Sequence, residues 1–341
     1  MSEWRDIAVV RALGGIGDVL CAVPALARLR HRLPDARITY IGMPQVAGVV
    51  ERYPELVDAF VPFPGFPGVS EAGFAPAALQ AFLADTASRP RFDLAIQMHG
   101  SGSVTNVFTA LLGATTMAGY HVPGLWKPEG HYAPFPDALS EVDRWLDLVG
   151  LLGCTEDGMR PEFLVTDAER DAVAALLAPL NGARYAVLHP GASDPRRRWP
   201  VERFAAVGDQ LAFQGLRVVL TGTQAEAEIV GAVVAAMNAP ALELSARTSL
   251  GAAAASIERA TLTVTNDTGT SHLAAAMRAP SIVIFIASDR ARWAPADTGL
   301  HVAVGRGVPD VPIGRTAAAV EPSLPPVAAV IEAVEHVMAY A

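Results

Sequence analysis

The chain has 341 residues, of which 51% are hydrophobic and 18% charged. That is more chain than one ordinary α/β core holds and too apolar for disorder, so two packed domains are expected. A formal net charge of −9 argues against nucleic acid as the main partner. The opening "MSEWRD" does not read as a secretory leader, so none is expected, and no run of about 18 apolar residues suits a membrane span. With Cys21 and Cys154 far apart and at no metal-ligand spacing, the expected setting is the reducing cytoplasm.

Short β-branched runs alternate with alanine-rich stretches, the pattern of βαβ units and parallel sheets. "IAVVRAL" reads as a strand, and "VLCAVPALARLRHRL" as a helix with Pro24 near its start. "ARITYIGM" follows as a strand, "VAGVVERYP" as a helix and "VDAFVPF" as a strand. Residues 64–78, rich in Gly, Pro and Phe, read as a loop; with Phe60, Phe63, Phe66 and Phe74 the region is either an apolar contact surface or a packed cluster. "FDLAIQMHGS" is the next strand, 119–137 an aromatic surface loop, and "EVDRWLDLVGLLG" a helix of period 3.6. The stretch 153–183 is the expected linker, with an amphipathic helix at 167–180. The pattern then restarts. Strands are expected at "RYAVLHPGAS", "GLRVVLTGT", "ALELSA", "ATLTVTND" and "SIVIFIAS", with helices at 201–214, 224–237, 249–259 and 271–278. Residues 305–325 read as loop, and "PPVAAVIEAVEHVMAYA" closes the chain as a helix.

In open α/β sheets, ligands bind beyond the carboxyl ends of the strands, which directs attention to three loops. "GGIGDVL" carries Gly14, Gly15, Gly17 and Asp18 after the first strand, but its spacing is that of neither a dinucleotide fingerprint nor a P-loop. Asp18 there is either a helix N-cap or a general base. "HPGASDPRRRWP" gathers three arginines with Ser193 in an otherwise acidic protein, a setting for an anion. "TNDTGTSHLAAAM" starts a helix at Thr268, Gly269 and Thr270, whose free N–H groups suit a phosphate, with Asp267 placed for sugar hydroxyls. Capping by Thr268 or Thr270 is the bland reading of the same residues, and His272, a turn further in, reads as packing or contact. No Asp-x-Asp pair or His/Cys cluster offers a metal site, so arginine and helix N-termini would have to balance a diphosphate.

Together "VVRALGGIGDVLCAVPALARLR", "FDLAIQMHGS", "LHPGASDPRRRWP" and "TVTNDTGTSHLAAAMRAPSIVIF" resemble glycosyltransferase family 9, the ADP-heptose:lipopolysaccharide heptosyltransferases, over nearly the whole chain. The resemblance implies a GT-B fold, with two Rossmann-like parallel-sheet domains facing across a cleft. Residues 1–165 would form the acceptor-side domain and 166–325 the nucleotide-sugar domain, with 326–341 a helix returning to the first. It implies an inverting, metal-independent transfer with no cofactor, in which Asp18 is the base and Gly14, Gly15 and Gly17 form the acceptor-side loop. Ser193, Arg197, Asp267, Thr268, Gly269 and Thr270 would hold the donor. The implied partners are ADP-heptose and a glycan or glycolipid acceptor, the lipopolysaccharide inner core, met at the cytoplasmic face of the inner membrane. Two positions depart from the family pattern. Arg197 stands where a Lys is usual, and Gly251 where many heptosyltransferases carry a Glu that contacts the ribose. The rival readings are a family member acting on another nucleotide sugar or another glycan, a GT-B epimerase, and a non-catalytic sugar-binding protein.

Overall fold

A computed structural model of the protein describes residues 4–69, 73–310 and 321–340. Parts of the 64–78 and 305–325 loop assignments, and the first and last residues, fall outside them. Contacts divide the chain into two units, 1–160 and 161–341.

The first unit holds a six-stranded, all-parallel sheet. Its strands are β1 (Asp6–Arg11), β2 (Arg37–Gly42), β3 (Ala59–Pro62), β4 (Leu94–Gln97), β5 (Thr116–His121) and β6 (His131–Pro134), in the order β3-β2-β1-β4-β5-β6. Ile7 to Val10 and Leu94 to Gln97 are fully buried, as expected of central strands covered on both faces. The helix Ile16–Arg32 packs on the helix Glu141–Gly150, which is capped by Ser140 accepting from the Asp143 N–H at 3.1 Å.

The second unit repeats the design with β7 (Tyr185–His189), β8 (Arg217–Leu220), β9 (Ala241–Glu243), β10 (Leu262–Asn266), β11 (Ser281–Ile284) and β12 (His301–Val304). They run parallel in the order β12-β11-β10-β7-β8-β9. Read from the opposite edge, this is the first sheet's topology. Each sheet therefore reverses its winding once, between β1 and β4 and between β7 and β10, and at that point the flanking loops splay apart to leave a crevice.

Several expectations need correction. Pro24 lies well inside its helix, which begins at Ile16 and not at Val19. The expected surface loop at 119–137 contains the end of β5 and all of β6; an edge strand tolerates the Pro134 that ends it. Part of the expected loop at 64–78 is helix, since Pro76 opens Pro76–Ala87. Phe63 and Phe66 meet Phe108 edge-on, and Phe60 stacks on Tyr40, so the phenylalanine cluster is largely packed; Phe74 is exposed. The closing helix, Val327–Tyr340, was expected on the first domain. Instead Val330, Ala333, Val334 and Val337 are buried in the second core, beside β10, β11, β12 and the helix Val201–Phe213. Trp199 and Arg203 fasten the approach to this helix by donating to the Pro325 carbonyl at 3.0 and 2.7 Å. Among the described residues, no helix is long and apolar enough to cross a membrane.

Candidate functional site

At the first reversal point, β1 runs into Gly14 and Gly15, and the helix starts at Ile16. Asp18 is the third residue of the helix and not its N-cap. Its Oδ2 reaches back to accept from the Gly15 N–H at 3.2 Å, tying off an otherwise unpaired donor. A Cβ on Gly15 would lie 2.6 Å from that same oxygen, and one on Gly14 would overlap the Gln45 amide. The two glycines thus keep room for neighbours within the chain, and Gly17 is buried in the first helical turn. The Asp18 side chain is one-fifth exposed.

Behind it lies Arg11, wholly buried at the end of β1. Its Nη2 stands 3.5 Å from Asp18 Oδ1 and 3.1 Å from Glu141 Oε1. Its Nη1 donates to the Met98 carbonyl at 2.8 Å and its Nε to the Asp18 carbonyl at 2.9 Å. Burial works against the charged guanidinium, but Glu141 and then Asp18 outweigh it and leave the Arg11 pKa above its usual value.

At the second reversal point, the loop after β7 meets the loop after β10. Asn266 joins them: its Oδ1 accepts from the Trp199 N–H at 3.0 Å, and its Nδ2 donates to the Pro190 carbonyl at 2.9 Å. The three arginines separate by role. Arg196 turns outward and forks onto Asp194, whose carboxyl its hydrogen bonds hold at about 2. Arg198 donates to the Ala192 carbonyl at 2.9 Å. Arg197 instead faces Asp267, Nη1 to Oδ2 at 3.6 Å, and is one-third exposed while Asp267 is buried. Among the described residues, Arg197 Nε and Asp267 Oδ2 have no hydrogen-bond partner. Beside them Thr268 precedes the helix Gly269–Ala276 without capping it through its hydroxyl, and Thr268, Gly269 and Thr270 are all partly accessible. Ser193 is exposed on the same loop as Arg197. His272 meets Trp293 edge-on, which favours the packing reading.

The second rim thus brings together Arg197 and Asp267, next to the free helix start, in the second unit; Asp18 belongs to the first. Three contributors escaped sequence reasoning. The sequence reads Arg11 only as part of the strand "IAVVRAL", Asn266 as part of the strand "ATLTVTND" and Glu226 as part of the helix at 224–237. Glu226 is buried, accepts from the Thr223 N–H at 2.8 Å, and fills the space a side chain on Gly191 would need. It also stands 3.7 Å from His189 Nε2. Burial lowers the His189 pKa, with Glu226 opposing.

The departure at Gly251 has a local cause as well. A Cβ there would overlap the carboxylate of Glu169, which also closes the capping box of the helix Asp167–Leu177 with Thr166. Among the described residues, no three His, Cys, Asp or Glu gather in a way that could hold a metal ion.

The family model described as glycosyltransferase family 9 (heptosyltransferase) matches residues 83–306, well over half of the chain. The chain belongs to glycosyltransferase family 9. As a family 9 glycosyltransferase it is 26% identical over 293 residues to lipopolysaccharide heptosyltransferase 3 of Escherichia coli K12, covering 82% of each chain. Its fold matches the family 9 glycosyl transferase of Veillonella parvula with a TM-score of 0.80, at 20% identity over 100% of this chain and 99% of that one. It also matches the E. coli heptosyltransferase WaaC with ADP-2-deoxy-2-fluoro heptose, with a TM-score of 0.67 at 20% identity over 97% and 99%. These neighbours share the two-sheet GT-B fold.

Proposed function

We propose that the protein transfers heptose from ADP-heptose to a hydroxyl of a glycan acceptor, the lipopolysaccharide inner core, with inversion and without a metal. In this reading Asp18 takes the proton of the acceptor hydroxyl as its oxygen bonds the anomeric carbon. The bond to the diphosphate breaks on the opposite face, and the nucleoside diphosphate leaves with the electron pair. Arg197, Ser193 and the N–H groups at Thr268, Gly269 and Thr270 receive the charge that develops on it. Asp267 accepts from sugar hydroxyls, and Gly14, Gly15 and Gly17 border the acceptor.

The observation that carries the reading is the second rim. In a heptosyltransferase-family chain, a buried carboxylate and a guanidinium face one another beside an uncapped helix start, each with a buried atom that makes no hydrogen bond among the described residues. The relatives support the choice of sugar and acceptor: one is a lipopolysaccharide heptosyltransferase, and one was solved with an ADP-heptose analogue.

One feature favours a second reading at the nucleoside end. With Gly251 in place of a carboxylate and Glu169 filling its space, the ribose contact differs, which suits a family 9 enzyme using another nucleotide sugar. Calorimetry against ADP-, GDP-, UDP- and dTDP-sugars separates the two. ADP-heptose binding tightest supports the proposal, and a clear preference for another base overturns its donor.

Asp18→Asn tests the base. Turnover should fall roughly 10²–10⁴-fold, the range that general bases contribute, while calorimetric ADP affinity stays near that of the parent. A variant turning over at the parent rate would remove Asp18 from the chemistry.

A further inference from the structure

Behind Asp18 the first unit buries a charge cluster that the proposed chemistry leaves unused. Arg11, fully enclosed, is in ion-pair range of Glu141 at 3.1 Å and of Asp18 at 3.5 Å, and its guanidinium lies 4.7 Å from the centre of the Trp145 ring. Glu141, also buried, is shared. Its Oε2 pairs with Arg144 Nη1 at 2.5 Å, and its Oε1 accepts from Trp145 Nε1 at 3.0 Å. Tyr40 from β2 and Cys21 from the helix Ile16–Arg32 are the other titratable groups facing Arg11.

The signs decide what this cluster does. Arg11 and Arg144, both buried, stand in ion-pair range of the same Glu141 carboxylate, so each buried charge here is held by close opposite charge. Asp18 places a second carboxylate beside Arg11, and its side chain is the one that reaches solvent. Orientation follows from the same contacts. Oδ1 is turned toward Arg11, Oδ2 toward the Gly15 N–H, and Arg11 Nε holds the Asp18 backbone carbonyl. A reacting group clamped at both oxygens and at its own backbone loses little freedom when substrate arrives.

We propose that Arg11, backed by Glu141, is a positioning residue for Asp18, fixing the orientation of its carboxylate and holding it ionised until an acceptor hydroxyl arrives. The proposal rests on the assignment of Asp18 as the base. Arg11 touches no substrate; it acts through Asp18. Glu141 shares the same guanidinium, its Oε1 standing 3.1 Å from Arg11 Nη2.

The test is a titration of the Asp18 carboxylate in the full-length protein by ¹³C NMR of labelled aspartate, with the resonance assigned by its loss in Asp18→Asn. Arg11→Met should move the midpoint upward, because a cation is lost. Glu141→Gln should move it downward, because a competing anion is lost and Arg11 turns fully to Asp18. Arg11→Lys keeps the charge and should leave the midpoint close to the parent value, while losing the bonds to Met98 and Asp18. Its kcat should drop by on the order of 100-fold, the loss that a ~1 Å misplacement brings. The acid limb of kcat/KM should follow the NMR midpoints. An unchanged midpoint in folded Arg11→Met, or shifts of the same sign in Arg11→Met and Glu141→Gln, overturns the proposal. Should Arg11→Met fail to fold by circular dichroism, Glu141→Gln and Arg11→Lys still decide. Opposed midpoint shifts in a protein whose Asp18→Asn variant remains fully active would locate the failure in the base assignment and not in the pairing.

Discussion

In the first unit, Asp18, Met98, Glu141 and Trp145 stand against Arg11 at the end of β1, a guanidinium that solvent does not reach. In the second, the loop after β7 leaves Arg197 one-third exposed beside a buried carboxylate. Both stand at the same place in the same topology, the reversal point of a sheet wound identically. The fold provides the crevice twice, and the side chains decide what each is suited to. A buried cation shared by Glu141 and Asp18 suits a supporting role behind a carboxylate. A partly exposed cation whose Nε makes no hydrogen bond among the described residues, beside an uncapped helix start, suits an anion that comes and goes.

The contrast breaks if Arg197 proves dispensable. Arg197→Ala should lower kcat by roughly 10²–10³-fold, the loss that follows removal of one donor to a developing anion. Arg197→Lys should recover part of that, because the charge returns without the fork. Steady-state kinetics with donor varied reads both.

A smaller effect sharpens the contrast from the side of stability. His301 is buried against Ser281, Oγ to Nδ1 at 2.8 Å. Burial, opposed by Asp297, pushes its pKa from 6.5 down to about 4. The folded state therefore binds fewer protons than the unfolded chain between those values. Stability is complete above 6.5, falls as pH drops through the window and levels off near 4, with at most about 3 kcal/mol lost. His189 adds to the loss with the same sign. Both belong to the second unit, so urea unfolding at pH 7 and pH 5 should show the acid loss there, and His301→Gln should reduce it.

The smallest expected change is at Arg196, whose guanidinium is already taken by Asp194 in an exposed pair. Arg196→Ala should leave donor affinity by calorimetry within about threefold, in keeping with the small worth of surface ion pairs.

How much of this was legible in the sequence follows from the range of each interaction. Central strands such as "IAVV" and "SIVIF" declare themselves because burial on both faces demands unbroken apolar runs. The strand His131–Pro134 did not, since an edge strand of His, Tyr, Ala and Pro meets no such demand, and His301–Val304 is as short. The motif loops were visible because glycine and helix-start chemistry are local. Among the three arginines, Arg197 was singled out only by the family resemblance; the local sequence does not separate them, because Asp194 and Ala192 claim the other two through folded geometry. Arg11 was hidden most deeply. Its partner Glu141 lies 130 residues away in the chain, and nothing near "VVRAL" announces a buried cation. The closing helix showed its apolar face plainly, but an apolar face does not say which sheet it will cover.

Asn266 has a consequence for how the second rim meets its ligand. One side-chain amide bonds to the backbone of both the Pro190–Gly191 turn and Trp199, so the loop is already braced at both ends where it lines the crevice. Little chain freedom then remains to be lost on binding, and association should be governed by enthalpy with only a modest entropic penalty. Asn266→Ala would loosen both ends together. Calorimetry of ADP should then record a more unfavourable entropy of binding, with Arg197, Asp267 and the helix start at Thr268 still in place.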